Sequence, residues 1–378
     1  MQPSSRFPQL DALRGVAAFW VFCHHAFMMM PVTPVWLEKI QYTPLNFFCD
    51  GWGAVILFFV LSGLVLNLKY IGLKTLPPRW IPTFLINRIF RIYPAFFVAI
   101  LLSLFFRFVL YDPSVMGAMS ADLNSHWRDP LNIPELLKLF TLVAPGIHPA
   151  QIDPPMWTLV YEMRISLFFP LVIFCLSRRW KIMNDLVFLA VIYLVCLVPD
   201  GATIHCVPFF VLGAVCARHL GWIRSVLGKF NPGMQVLWLA ASVVLLETVA
   251  MATPYPLAGG YASYLCQQLV GLGAAGIILG CVSFANVAAL LSSSPFQFIG
   301  RTSYSFYLVH MLFQLTPAPL IYHLTGSWLA TWLTALILTY FVAWLMFRYV
   351  EKPMIKQGHA MAARFSKSPQ ASPTMPAK

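Results

Sequence analysis

Between Asp50 and Lys69 the chain runs eighteen residues, GWGAVILFFVLSGLVLNL, without a single charge. A helix of about 20 apolar residues spans the hydrocarbon core of a bilayer. In lipid no water is available to backbone N–H and C=O groups, so such a run satisfies itself only as a helix. Comparable runs recur near 13–30, 53–71, 93–111, 160–176, 186–199, 205–219, 235–252, 263–284, 303–323 and 328–348. Composition agrees: 59% of the residues are hydrophobic and 10% charged, where soluble domains are about a quarter charged. The expected fold is all-α, a polytopic transmembrane bundle of about ten spanning helices.

The net charge of +12 would suit a nucleic-acid partner, but its distribution argues against one. With the N-terminus cytoplasmic, 20 of the 25 Lys and Arg residues fall on that side and 5 (Lys39, Arg107, Arg128, Lys138 and Arg164) on the other. That split obeys the positive-inside rule, and an even number of spans places both termini in the cytoplasm. The basicity is topological, and no nucleic acid is expected. The first apolar run carries Arg14, His24 and His25 and reads as a retained helix rather than a cleaved signal. The 8 cysteines form no CxxC pair, which gives neither a metal site nor a disulfide framework. Two connecting segments, 31–52 and 112–159, are long enough to carry function. Residues 1–358 read as one membrane domain. The polar Pro/Ser/Ala-rich stretch 359–378 reads as a disordered cytoplasmic tail.

Ionisable side chains inside spanning helices are costly and point to function. Arg14 and His25 are eleven residues apart, which returns them to nearly the same helical face with a rise of about 16 Å. His25 then lies deep in the membrane, where an imidazole can accept a proton near neutral pH; a histidine that merely hydrogen-bonds a neighbouring helix fits the position equally well. His24 points elsewhere. Arg88 and Arg91, three apart in INRIFRIYP, are neighbours on one face. With Lys74 and Arg79 they could grip phosphates or simply anchor a cytoplasmic boundary. Glu162, near the external start of the fourth helix, could orient or deprotonate a substrate, or be an acid favoured by the helix dipole. Ser62 lies in an apolar run without a GxSxG elbow, which disfavours a serine nucleophile. His310 is a second intramembrane histidine that could share a cavity with His25.

Six segments occur in one order: LDALRGVAAFWVFCHH, GAVILFFVLSGLVL, NRIFRIYP, MWTLVYE, GRTSYSFYLVH and EKP at 351–353. Together they resemble the acyltransferase-3 family of integral membrane O-acyltransferases, over residues 9–353. The resemblance implies transfer of an acyl group, often acetyl, from cytoplasmic acyl-CoA to a hydroxyl of a carbohydrate or glycolipid. The acyl-CoA would be a co-substrate, with no bound cofactor or metal. It further implies catalytic roles for His25, Arg14 and Glu162 and donor binding by Arg88, Arg91 and Lys74. Ser62 and His310 would face the substrate. After Glu162 the chain carries Met163 and Ile165, where relatives often have a second acid and an aromatic. The implied location is a bacterial inner membrane, with lipid as partner and a homo-oligomer permitted. The alternative is a transporter or exporter, which would show inverted repeats and paired broken helices; neither is evident in the sequence.

Overall fold

The computed structural model describes residues 7–71, 73, 75–177, 182–196, 202–248 and 261–366. Among these residues there is no strand, and the long helices are α1 (Pro8–Met28), α2 (Gly51–Leu68), α3 (Trp80–Phe105), α4 (Trp157–Ser177), α5 (Ile182–Val195), α6 (Ala202–Leu227), α7 (Pro232–Leu246), α8 (Tyr261–Ser283), α9 (Ser294–Leu315), α10 (Trp328–Met346) and α11 (Lys352–Ser366). Local chemistry sets their ends. Asp50 caps α2 by accepting from the backbone N–H of Trp52 at 2.9 Å and Gly53 at 2.7 Å, two of the donors that a helix start leaves without a partner. α9 stops at Thr316 because Pro317 follows it, and the residue before a proline is pushed out of the helical region.

Among the described residues, six helical segments are long and apolar enough to cross a membrane: Gly51–Leu68, Trp80–Leu110, Pro154–Ser177, Thr203–Leu227, Cys266–Ser283 and Trp328–Ser366. Shorter apolar helices run over Ile182–Val195 and Pro232–Leu246. The longest segment joins α10 through a π turn at Phe347–Glu351 to α11, which lies back along the first half of α3, with the Phe365 carbonyl 3.5 Å from Arg79 Nη1. The stretch expected to lose structure from residue 359 is therefore helical as far as Ser366. Gly358 and Ala362, four residues apart, are both buried and give this polar segment one packed face.

A second difference matters more for function. α3 begins at Trp80 rather than near residue 93, which puts Arg88 and Arg91 well within the helix rather than ahead of the span. Acids from other helical segments, Glu162 and Glu351, neutralise them there.

Lipid tails provide no hydrophobic force between helices, so close backbone approach is what holds a membrane bundle. Several glycines among the described residues do this, and two of the contacts involve helices that line the site described below. Gly63 of α2 faces the Phe210 carbonyl of α6, and Gly213 faces the Val60 carbonyl in return. Gly15 of α1 and Gly300 of α9 form the other contact: a Cβ on Gly15 would lie 2.6 Å from the Gly300 nitrogen. This second crossing sets how the polar faces of α1 and α9 meet.

Candidate active site

Helices α1, α2, α3, α4 and α9 line a partly open pocket. Arg14, Ser62, Arg88, Arg91, Glu162 and Tyr304 line it. Five of the eight residues singled out in the sequence thus meet in one cavity. Lys74 lies outside the described residues.

Each arginine has an acid beside it. Arg88 donates from Nη2 to Glu162 Oε1 at 2.6 Å and from Nε to Ser166 Oγ at 3.0 Å. The Ser166 hydroxyl in turn donates to the Glu162 carbonyl at 2.6 Å. Glu162 is the sixth residue of α4, near the start of the helix. It sits within α4 at the depth of Arg88, because a buried guanidinium requires a partner when water is absent. Arg91 pairs with Glu351 and lies over the Tyr304 ring at 5.4 Å. Glu351 is fully buried, and its other oxygen accepts from Ser305 Oγ at 2.9 Å. Arg14 donates to Asp11 at 3.2 Å.

A guanidinium carries five N–H donors, and these pairings use only some of them. The three arginines line a pocket whose wall also includes Val55, Phe58, Phe59, Ile92 and Leu159, and beside such apolar groups an anion would bind more strongly than in water. Glu351 was visible in the sequence only as the first residue of EKP. An acid directly after a spanning run was the available signal, but its partner, 260 positions away, was not.

His25 and His310 lie apart from this pocket. His25 is in the last turn of α1, and neither imidazole lines the cavity. They meet each other instead, His25 Nδ1 and His310 Nε2 being 3.4 Å apart. Tyr307 belongs to both places: its side chain lines the pocket, its hydroxyl donates to Pro155 O at 3.2 Å and lies 3.0 Å from Thr158 Oγ, and its ring is 5.7 Å from that of His310. His24 donates to the Cys49 carbonyl at 2.8 Å and ties α1 to the entry of α2.

The long connection 112–159 folds over this end of the bundle. Trp127 Nε1 donates to Ile152 O at 3.0 Å, and Arg107 donates to Gln151 O at 2.5 Å and to Asp129 O. Beside them Asp153 is wholly buried, with both carboxylate oxygens lacking a partner. Burial holds its carboxyl well above the usual carboxylate range, since desolvation disfavours the charged form. Among the described residues no group of three or more His, Cys, Asp or Glu side chains could hold a metal ion.

Residues 7–348 match the acyltransferase-3 family model, described as an acyltransferase domain. The chain belongs to the acyltransferase-3 family. It is therefore an enzyme that transfers acyl groups, and with helices suited to crossing a bilayer it is an integral membrane protein. Peptidoglycan O-acetyltransferase OatA from Listeria monocytogenes is similar at 24% identity over 387 residues, which cover 93% of this chain and 56% of that protein. The chain thus spans about half the length of the curated relative it matches. No solved structure matches it. Family membership decides between enzyme and transporter, the two readings that hydropathy alone leaves open.

Proposed function

We propose that this acyltransferase moves an acetyl group from acetyl-CoA to a hydroxyl of a carbohydrate or glycolipid at a bacterial inner membrane. In this reading the bundle has about ten spans, with both termini cytoplasmic, as the Lys and Arg distribution favours. The observation that carries the proposal is the arginine-lined pocket inside an acyltransferase-family bundle. Three guanidiniums line that one pocket, and their N–H donors can serve phosphate oxygens. The acetyltransferase named for peptidoglycan supports a carbohydrate acceptor.

Arg88 and Arg91 hold the donor's phosphates, Glu162 and Glu351 fix their guanidinium planes, and Arg14 guides the donor along α1. Ser62 borders the donor's path. The rise from Arg14 to His25 is about 16 Å, a distance the extended arm of coenzyme A can bridge. His25 acts as general base: it takes the proton as the acceptor oxygen attacks the thioester carbonyl, and returns it to the leaving thiolate.

The test is to incubate purified enzyme with labelled acetyl-CoA and extracted envelope glycans, then locate the label by mass spectrometry. His25→Ala should abolish transfer with membrane insertion unchanged. Replacing Arg88 and Arg91 together should raise KM for acetyl-CoA. A fully active His25→Ala, or a wild-type enzyme that labels no glycan, would overturn the reading.

A further inference from the structure

The two histidines fix each other's protonation pattern. His310 Nδ1 lies 2.7 Å from the Tyr307 carbonyl. A carbonyl only accepts, so this nitrogen carries the proton and, in the neutral ring, Nε2 presents a lone pair. That lone pair faces His25 Nδ1 at 3.4 Å. His25 Nδ1 is also 2.9 Å from the Val21 carbonyl, which makes it a protonated donor shared between the two. By elimination the free base of His25 is Nε2, which has no protein partner among the described residues.

The His310 ring is fully buried and stacks on Phe306, with 7° between planes and 6.4 Å between centroids. The turn of α1 around His25 is pinned as well: Gln314 Nε2 donates to Phe22 O at 3.0 Å and Trp332 Nε1 to Ala26 O at 3.1 Å. Other titratable groups near the pair are His24 on the same helix, its ring 5.2 Å from that of His25, His126 from the long connection and Tyr307 on α9. Among the described residues no carboxylate is hydrogen-bonded to either imidazole.

We propose that His310 is a positioning residue for acyl transfer: it holds His25 in the Nδ1–H tautomer and accepts that N–H while His25 is charged. This rests on the reading of His25 as the base. In many hydrolases a buried carboxylate orients the catalytic imidazole and stabilises its charged form; here a second, neutral imidazole stands in that place. The acceptor O–H bond breaks and its proton goes to His25 Nε2. The oxygen bonds to the thioester carbon, the C–S bond breaks, and the thiolate takes the proton from Nε2. His310 undergoes no net change. Its lone pair faces the Nδ1–H of the transient imidazolium, which would otherwise have only the Val21 carbonyl. In this reading His310 acts through His25 and not on the substrate, unlike the role that the resemblance implies for it.

The experiment compares wild type, His310→Phe and His310→Gln in detergent, each first shown to elute as a monodisperse species. Phe keeps bulk and removes the acceptor. Gln places an amide oxygen near the former Nε2. His310→Phe should lower kcat by about 100-fold or more, within the range attributed to general acid–base catalysis. KM for acetyl-CoA should hold within about 2-fold, and the acid limb of the kcat/KM profile should move to lower pH, because the protonated His25 has lost an acceptor. His310→Gln should recover about tenfold of the lost kcat. Should the Phe variant fail to fold, the Gln variant decides: it should elute normally, with kcat reduced and KM unchanged. An unmoved pH profile, a loss confined to KM, or a Gln variant no better than Phe would overturn the positioning role. A wild-type enzyme without transfer activity would instead sink the reading of the reaction itself.

Discussion

Gly15→Ala tests whether the α1–α9 crossing sets the geometry of the imidazole pair. The added Cβ would lie 2.6 Å from the Gly300 nitrogen and 2.6 Å from the Ile299 carbonyl carbon. Both are backbone atoms, so no rotamer change relieves the clash. Ordinary non-bonded contact is about 3.5–4.0 Å, so the helices must separate by roughly 1 Å. Overpacking of this kind costs about 1–3 kcal/mol, less than the roughly 5–15 kcal/mol that holds a typical protein folded. The variant should fold. His25 stands ten residues further along α1, about 15 Å from the crossing, and its 3.4 Å contact with His310 has no slack, since a wider gap leaves hydrogen-bonding range. A misplacement of about 1 Å can cost 100-fold in rate, and a loss of that order in kcat is expected. Gly221→Ala is the control, because nothing lies within 4 Å of a Cβ there. Both variants would be assayed by size-exclusion, thermal melting and transfer of labelled acetyl groups. A Gly15→Ala enzyme with wild-type kcat would refute the link between crossing and chemistry.

Other outcomes follow from buried charge. Glu351→Ala leaves Arg91 without its acid; breaking a buried pair by removing one partner costs about 3–5 kcal/mol, and the one-third exposure of the Arg91 side chain places the loss near the lower end. The thermal midpoint of the detergent-solubilised protein should fall by several degrees, and an unchanged midpoint would refute the pairing. Asp153→Asn should alter how stability depends on pH. The folded chain keeps the Asp153 proton, whereas the unfolded chain releases it as pH rises through the ordinary carboxylate value of 3.8. Stability therefore declines with rising pH above that value, by about 1.4 kcal/mol per unit, until the buried group itself ionises. The asparagine variant lacks this slope, so its melting temperature should exceed the wild type's by more at pH 7 than at pH 4.5. Parallel curves for the two proteins would count against a protonated Asp153.

The sequence made most of the helices legible, because long uncharged runs admit only one solution in lipid. It also picked out Arg14, Ser62, Arg88, Arg91 and Glu162, which the fold gathers in one cavity, and the two histidines, which the fold pairs with each other. α3 starts about a dozen residues before the apolar run expected near 93, because Arg88 and Arg91 within it are paired with acids that other segments bring. Local pattern identifies an unusual residue in a spanning helix but not the residue that neutralises it.

Chain order and composition alone fixed that this protein lives in a membrane, is helical throughout its core, and carries ionisable groups where lipid would otherwise forbid them. Tertiary structure decided which of those groups belong together. Arg91 meets an acid 260 positions away and His25 meets an imidazole 285 positions away. Helix periodicity is a local property, readable within a few turns, whereas a buried charge is compensated by whichever helix packs beside it.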